Sequence, residues 1–288
     1  MSTISSGICY PRNLSINSKG SIHDDATATE FGFRAGTVAG DIHLEQFGGI
    51  LVSAFGPQWF ESGSLSMYFM HATADAEPVE AILDIGDSNT PLVNAQISAH
   101  METPEGTRVA EGTASVGESA VPTALYSRDR RPVEPSALKM LRHATPGRPL
   151  ETFTRQAPGN DQILRHSRGI MTAPLDWYVE ESPWGKPICS PLTSCRLLVA
   201  GMTDTIEREC GDFVGLYGAI EIRHHNGPLM LETDYTITGR VLNVSQTPKT
   251  EVLWLTTEAR RAGDENGEPI ASLTMMTRLL KDSSPLYR

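Results

Sequence analysis

The chain is poor in cysteine: 288 residues hold only Cys9, Cys189, Cys195 and Cys210. None belongs to a C-x-x-C pair or to a Cys/His spacing that suits zinc, so neither a disulfide framework nor a structural metal is indicated, and the thiols read as reduced. Nowhere do 18 apolar residues run together, and residues 1–18 are polar, carry Arg12 and lack the apolar centre of a secretory leader. Basic charge is also scarce. Twenty-four Lys and Arg face 35 Asp and Glu, a net charge of -11, whereas nucleic-acid binding is driven by a basic surface that releases counterions. The expectations are a cytoplasmic protein with no nucleic-acid partner, no membrane partner, no metal and no cofactor.

What the chain has in quantity is turns. Its 25 Gly and 19 Pro are spread along the sequence, which fits many short strands better than long helices. The length suits two domains with cores of their own. Residues 1–29 are Ser-, Asn- and Gly-rich and read as a loose N-terminal arm. In the first domain, residues 30–120, Phe31, Phe33 and Val38 predict a leading strand. A helix follows over residues 41–55, where Leu44, Phe47, Ile50, Leu51, Ala54 and Phe55 recur at helical spacing and Gly56-Pro57 stops it. Strands are then predicted at 63–70, 79–85, 92–101 and 109–116.

The order repeats in a second domain over residues 175–288. Ser190-Pro191 places an N-cap hydroxyl before a Pro at the first helical position, and apolar residues from Leu192 to Ile206 continue the helical spacing. Strands are predicted at 216–223, 229–244, 250–260 and 270–280. Local echoes support duplication: Glu77-Pro78-Val79 against Gly227-Pro228-Leu229, and Gly106 to Ala110 against Gly267 to Ala271. Between the domains, residues 121–174 form a Pro/Arg-rich connector with Arg128, Arg130, Arg131, Arg148, Arg155, Arg165 and Arg168. It reads either as a solvated linker or as a clamp for an anion, since Arg suits bidentate oxyanion contacts.

This order, a strand, a central helix and a run of antiparallel strands, twice over, resembles the tandem (double) hot-dog proteins of the MaoC-like, R-specific enoyl-thioester hydratase type. That resemblance implies an α+β fold in which each half is a central helix wrapped by a curved antiparallel sheet. Residues 181–191 resemble the loop leading into the hot-dog helix, Gly239-Arg240-Val241 with Lys249-Thr250-Glu251 the strand pair after it, and residues 266–271 the last hairpin. The hydratases carry a G-D-x-N-P-x-H-x-D motif at the start of the central helix. The nearest match is Gly40-Asp41-Ile42-His43-Leu44-Glu45, which lacks the Asn-Pro step and brings Asp and His closer together; the second half has Ser190-Pro191 there instead.

The resemblance implies a lyase that adds or removes water at an α,β-unsaturated thioester or related small carbonyl compound, with His43 as base and Asp41 as its orienting partner. The plainer alternative makes Asp41 an N-cap and His43 a surface residue of the first turn. His71 and His225 sit at matching turns of the two halves, and with Trp59 and Tyr217 they are the candidates for a substrate-binding rim. Other members of the fold imply other outcomes: a thioesterase, a non-catalytic ligand-binding protein, or an enzyme of specialised metabolism acting on a free small molecule. The expected partner is a small-molecule substrate, coenzyme A thioesters among the candidates, and a homodimer is left open.

Overall fold

The computed structural model of the chain describes residues 2–86, 92–264 and 266–288. In chain order it runs β1 (Ser2–Cys9), α1 (Asp25–Glu30), α2 (Gly40–Glu45), α3 (Gly48–Phe55), α4 (Trp59–Ser62), β2 (Gly63–Phe69), β3 (Val79–Gly86), β4 (Gln96–Glu102) and β5 (Arg108–Val116). It continues with β6 (Phe153–Gln156), α5 (Gly159–Ser167), α6 (Pro191–Val199), α7 (Asp204–Cys210), β7 (Gly215–His224), β8 (Asp234–Gln246), β9 (Thr250–Arg261) and β10 (Ala271–Leu280). These strands form one antiparallel sheet in the order β1-β3-β4-β5-β2-β7-β10-β9-β8-β6. Matching β1, β3, β4, β5, β2 with β6, β8, β9, β10, β7 makes the order read the same from either end. The chain is therefore a duplication about the β2/β7 junction, where Ser64↔Arg223 to Tyr68↔Ala219 are paired.

Two expectations near the start of the chain are corrected. The leading strand is Ser2–Cys9, inside the segment expected to be a loose arm, and residues 31–38 hold turns and a single bridge, Thr37↔Ala74. Only Cys9 of β1 is buried, and register shifts between Ser2 and Thr3 and between Ser5 and Ile8 interrupt its pairing with β3. An edge strand with one solvated side carries little of the apolar alternation from which strands are read. The connector is likewise not a plain linker. It contains β6, which pairs with β8 as β1 pairs with β3, and α5.

Each predicted central helix is split. Residues 41–55 form α2 and α3, separated at Gln46 and Phe47. In the second half the helical spacing to Ile206 is broken at Gly201, which has φ +73°, so α6 stops and α7 starts at Asp204. One face of the sheet carries the helices and the main core. There Leu44, Phe47, Leu51 and Phe55 pack with Leu65, Met67, Ile220, Ile222, Leu273 and Met275. Each such fully buried side chain contributes about 1.5–3 kcal/mol relative to exposure. On the opposite face, Leu125 from the connector caps a smaller cluster of Ala219, Val252, Trp254 and Met276, with Tyr68 at its edge.

The halves are also tied through their helices. Glu45 of α2 is buried and accepts from both Arg165 Nη1, at 2.8 and 2.9 Å, and Ser190 Oγ at 2.6 Å. Arg165, on α5, donates in addition to Thr193 of α6 and to Asp161.

Candidate active site

Past Tyr68↔Ala219 the two central strands pair no further. Their separation opens a cleft of about 1600 Å³ lined by both halves. The first half supplies His23, Gly40, His43, Tyr68, Phe69 and His71, and the second half supplies Glu207, Phe213, Tyr217, Lys249, Thr250 and Arg278. Gly40 matters for shape, because a Cβ there would meet the Phe69 ring at 2.5 Å.

His43 is only 3% exposed, yet its ring lines this cleft. Nε2 lies 3.0 Å from Thr73 Oγ1, while Nδ1 is buried with no partner among the described residues. Burial disfavours the charged ring and takes its pKa down to about 4, so the imidazole is neutral near pH 7.

Tyr217 reaches the cleft through an irregularity in β7. Opposite β10, Met276 pairs with Ala219 but Thr277 pairs with Tyr217, which leaves Gly218 as an extra residue in β7. Regular alternation would put Tyr217 on the same face as Ala219. The bulge turns it to the helix-bearing face, where it packs against the main core. Burial, aided by the negative charge of Asp41 nearby, holds its phenol above the ordinary tyrosine range, so it stays protonated as a donor.

The expected Asp41–His43 unit does not form. Two residues apart on a helix lie roughly 200° apart around its axis, and Asp41 turns away from the cleft to α6, where Oδ2 accepts from Arg196 Nε at 3.2 Å. The plainer alternative is corrected too. The N-cap of α2 is Ala39, which makes no side-chain cap, and His43 is buried and not a surface residue.

Of the expected rim, His71 and Tyr217 line the cleft. Trp59 and His225 do not. Trp59 is 1% exposed and donates its indole N–H to Ser64 O, and His225 is exposed with Nε2 2.8 Å from Ser272 Oγ. Trp59 and Phe60 pack edge-on and tilted against His224, at 5.1 and 5.5 Å between ring centroids, with Trp177 and Trp184 beyond Phe60. Under the duplication His224 is the counterpart of Phe69, so the second-half equivalent of the cleft is filled with aromatic rings.

Thr73 and Arg278 were not among the sequence candidates, and no local motif marks them. Among the described residues no three His, Cys, Asp or Glu side chains are grouped to hold a metal. The four cysteines are buried, and burial pushes their thiols up, as far as about 12 for Cys210, so none is a ready nucleophile.

No protein-family model and no curated protein sequence matches the chain. Solved structures do. A protein described as a MaoC domain dehydratase from Chloroflexus aurantiacus is similar over 97% of this chain and 94% of its own, with 13% identity and a TM-score of 0.59. A Mycobacterium tuberculosis protein described as having a double hotdog fold is similar over 96% and 95%, at 12% identity and a TM-score of 0.60. A MaoC-like dehydratase gives 96% and 97%, 13% identity and 0.53. Identity this low transfers architecture and not chemistry. The chain thus has the double hot-dog fold, which it shares with MaoC-like dehydratases.

Proposed function

We propose that the cleft is a proton-transfer site and that the protein is a hydro-lyase of the hydratase/dehydratase class, acting on an α,β-unsaturated thioester or a related small carbonyl compound. The observation that carries this is His43: a neutral, buried imidazole in the lining of a large cleft, whose Nδ1 has no hydrogen-bond partner among the described residues. With Nε2–H donated to Thr73 Oγ1, Nδ1 holds the free lone pair. It takes a proton from water as the water oxygen bonds to the β-carbon of the substrate, and the electron pair moves to the carbonyl oxygen. The imidazolium then returns the proton to the α-carbon, and dehydration is the reverse. Tyr217, held protonated, is the donor for the developing oxyanion.

Here His43 works without Asp41, whose Oδ2 accepts from Arg196 Nε and whose Oδ1 is buried with no partner among the described residues. The test is hydration of crotonyl-coenzyme A, followed by loss of enoyl-thioester absorbance with free thiol assayed in the same reaction. His43→Gln is expected to lower turnover by roughly a hundred- to ten-thousand-fold, with Tyr217→Phe lowering it less. Full turnover in His43→Gln would overturn the assignment of the base. Release of thiol in place of hydration would make the protein a thioesterase.

A further inference from the structure

We infer that Arg278, beside Tyr68 and Arg128 at the margin of the cleft, anchors an oxyanion of the ligand, a carboxylate or a phosphate; this rests on the cleft being the ligand site. Arg278 lines the cleft from β10 and is half-buried. Its position follows from the strand pattern. Met276 lies in the cluster on the helix-free face, and two residues on, Arg278 lies on that face as well. Gly218 makes the room, since a Cβ there would meet Arg278 Nε at 2.8 Å.

The guanidinium forms no ion pair among the described residues, although the chain has 35 acidic side chains. Its hydrogen-bond partner among the described residues is the Tyr68 hydroxyl oxygen, which accepts from Nη2. A guanidinium carries five N–H donors, so most remain for a ligand, and the Tyr68 hydroxyl proton is free to add another. A second cation lies beside the first. Arg128 stacks on the Tyr68 ring with its Cζ 3.6 Å from the centroid, and Arg278 stands 5.3 Å from it.

Asp204, Glu207 and Asp212 also line the cleft, and none of them forms an ion pair with Arg278. Glu111 faces Tyr68 across the β2/β5 pair but is exposed and makes no ion pair with either guanidinium. Of the other cations lining the cleft, Arg208 is held by Glu151 at 3.7 Å, and Lys249 is exposed at the turn before β9. The cleft therefore joins a proton-transfer end at His43 and Tyr217, with Glu207 in its lining, to a cationic end at Arg278. An acyl compound carrying an anionic group some way from its reacting carbonyl fits both.

The experiment titrates the intact protein with pyrophosphate and, separately, with succinate at constant ionic strength, reading the unfolding temperature as a binding isotherm. One of the two is expected to give a saturable rise, and which one identifies the oxyanion. Arg278→Gln should weaken that binding by roughly tenfold to a hundredfold, the range of a charge-assisted hydrogen bond. Arg278→Lys should retain part of it, and Arg128→Gln should cost less than Arg278→Gln. His43→Gln should bind the anion as the wild type does, so the anchor and the hydration chemistry can fail independently. Equal isotherms for wild type and Arg278→Gln, or no saturable response in the wild type, would overturn the anchor.

Discussion

At the scale of single residues, burial keeps the imidazoles of His43 and His224 neutral, and the proposed chemistry depends on the first of them. His43 titrates near pH 4 and His224 is taken down to about 3, in both cases chiefly by burial, against roughly 6.5 for an unfolded histidine. A depressed histidine pKa means that the unfolded chain binds the proton more readily. Stability is therefore complete above about pH 6.5 and is lost as the pH falls toward the folded values. Each histidine is expected to remove roughly 2 kcal/mol between pH 6.5 and 5, read from urea unfolding at the two pH values. The variant with both His43→Gln and His224→Gln should show a flatter dependence, and an unchanged slope would refute this account. Thr73 positions the His43 ring through the 3.0 Å contact between its Oγ1 and Nε2. Thr73→Val should lower turnover and displace the pH–rate profile, with Thr73→Ser restoring both, whereas a purely structural role would leave the profile in place. The sequence made His43 legible because a Gly-Asp-x-His string stood at a helix start. It could not show that Asp41 faces Arg196, 155 positions away, because that depends on how the two halves pack.

At the scale of elements, the strands following the central helices were legible from alternation and turn residues, while the interruptions were not. The break between α2 and α3 occurs with both Gln46 and Phe47 still in the right-handed helical region, directly before Gly48-Gly49, which open α3. The bulge at Gly218 is one residue in a strand whose composition is otherwise ordinary, yet it decides which face Tyr217 occupies. Helix α5 was hidden in a stretch read by its charge, and its Arg165 is not a solvated cation but a buried link between α2 and α6. Arg165→Met would leave Glu45 buried without its counter-ion and is expected to destabilise the fold by about 3–5 kcal/mol in chemical unfolding. Adding Glu45→Gln should recover much of that loss. Equal instability of the single and double variants would show that packing, and not charge, is what Arg165 provides.

At the scale of the molecule, the duplication was legible in the order of elements and in short echoes such as Gly106 to Ala110 against Gly267 to Ala271, but its outermost strands were not. Both β1 and β6 are edge strands with one neighbour each, and edge strands carry the weakest pattern. Removing residues 2–9 should uncover the edge of β3, whose Val79, Ala81 and Leu83 are fully buried, and give concentration-dependent association in sedimentation experiments. A truncated protein that stays at the wild-type sedimentation coefficient would show that β3 is protected by other means. The aromatic filling around Trp59 and His224 shows what a single chain with two halves permits. In a homodimer of single units, every substitution appears twice, so closing one cavity closes both. Once the two units are encoded in one reading frame, each accumulates change separately. One cavity can then hold tryptophan and phenylalanine as a firm junction between the halves while the other stays open.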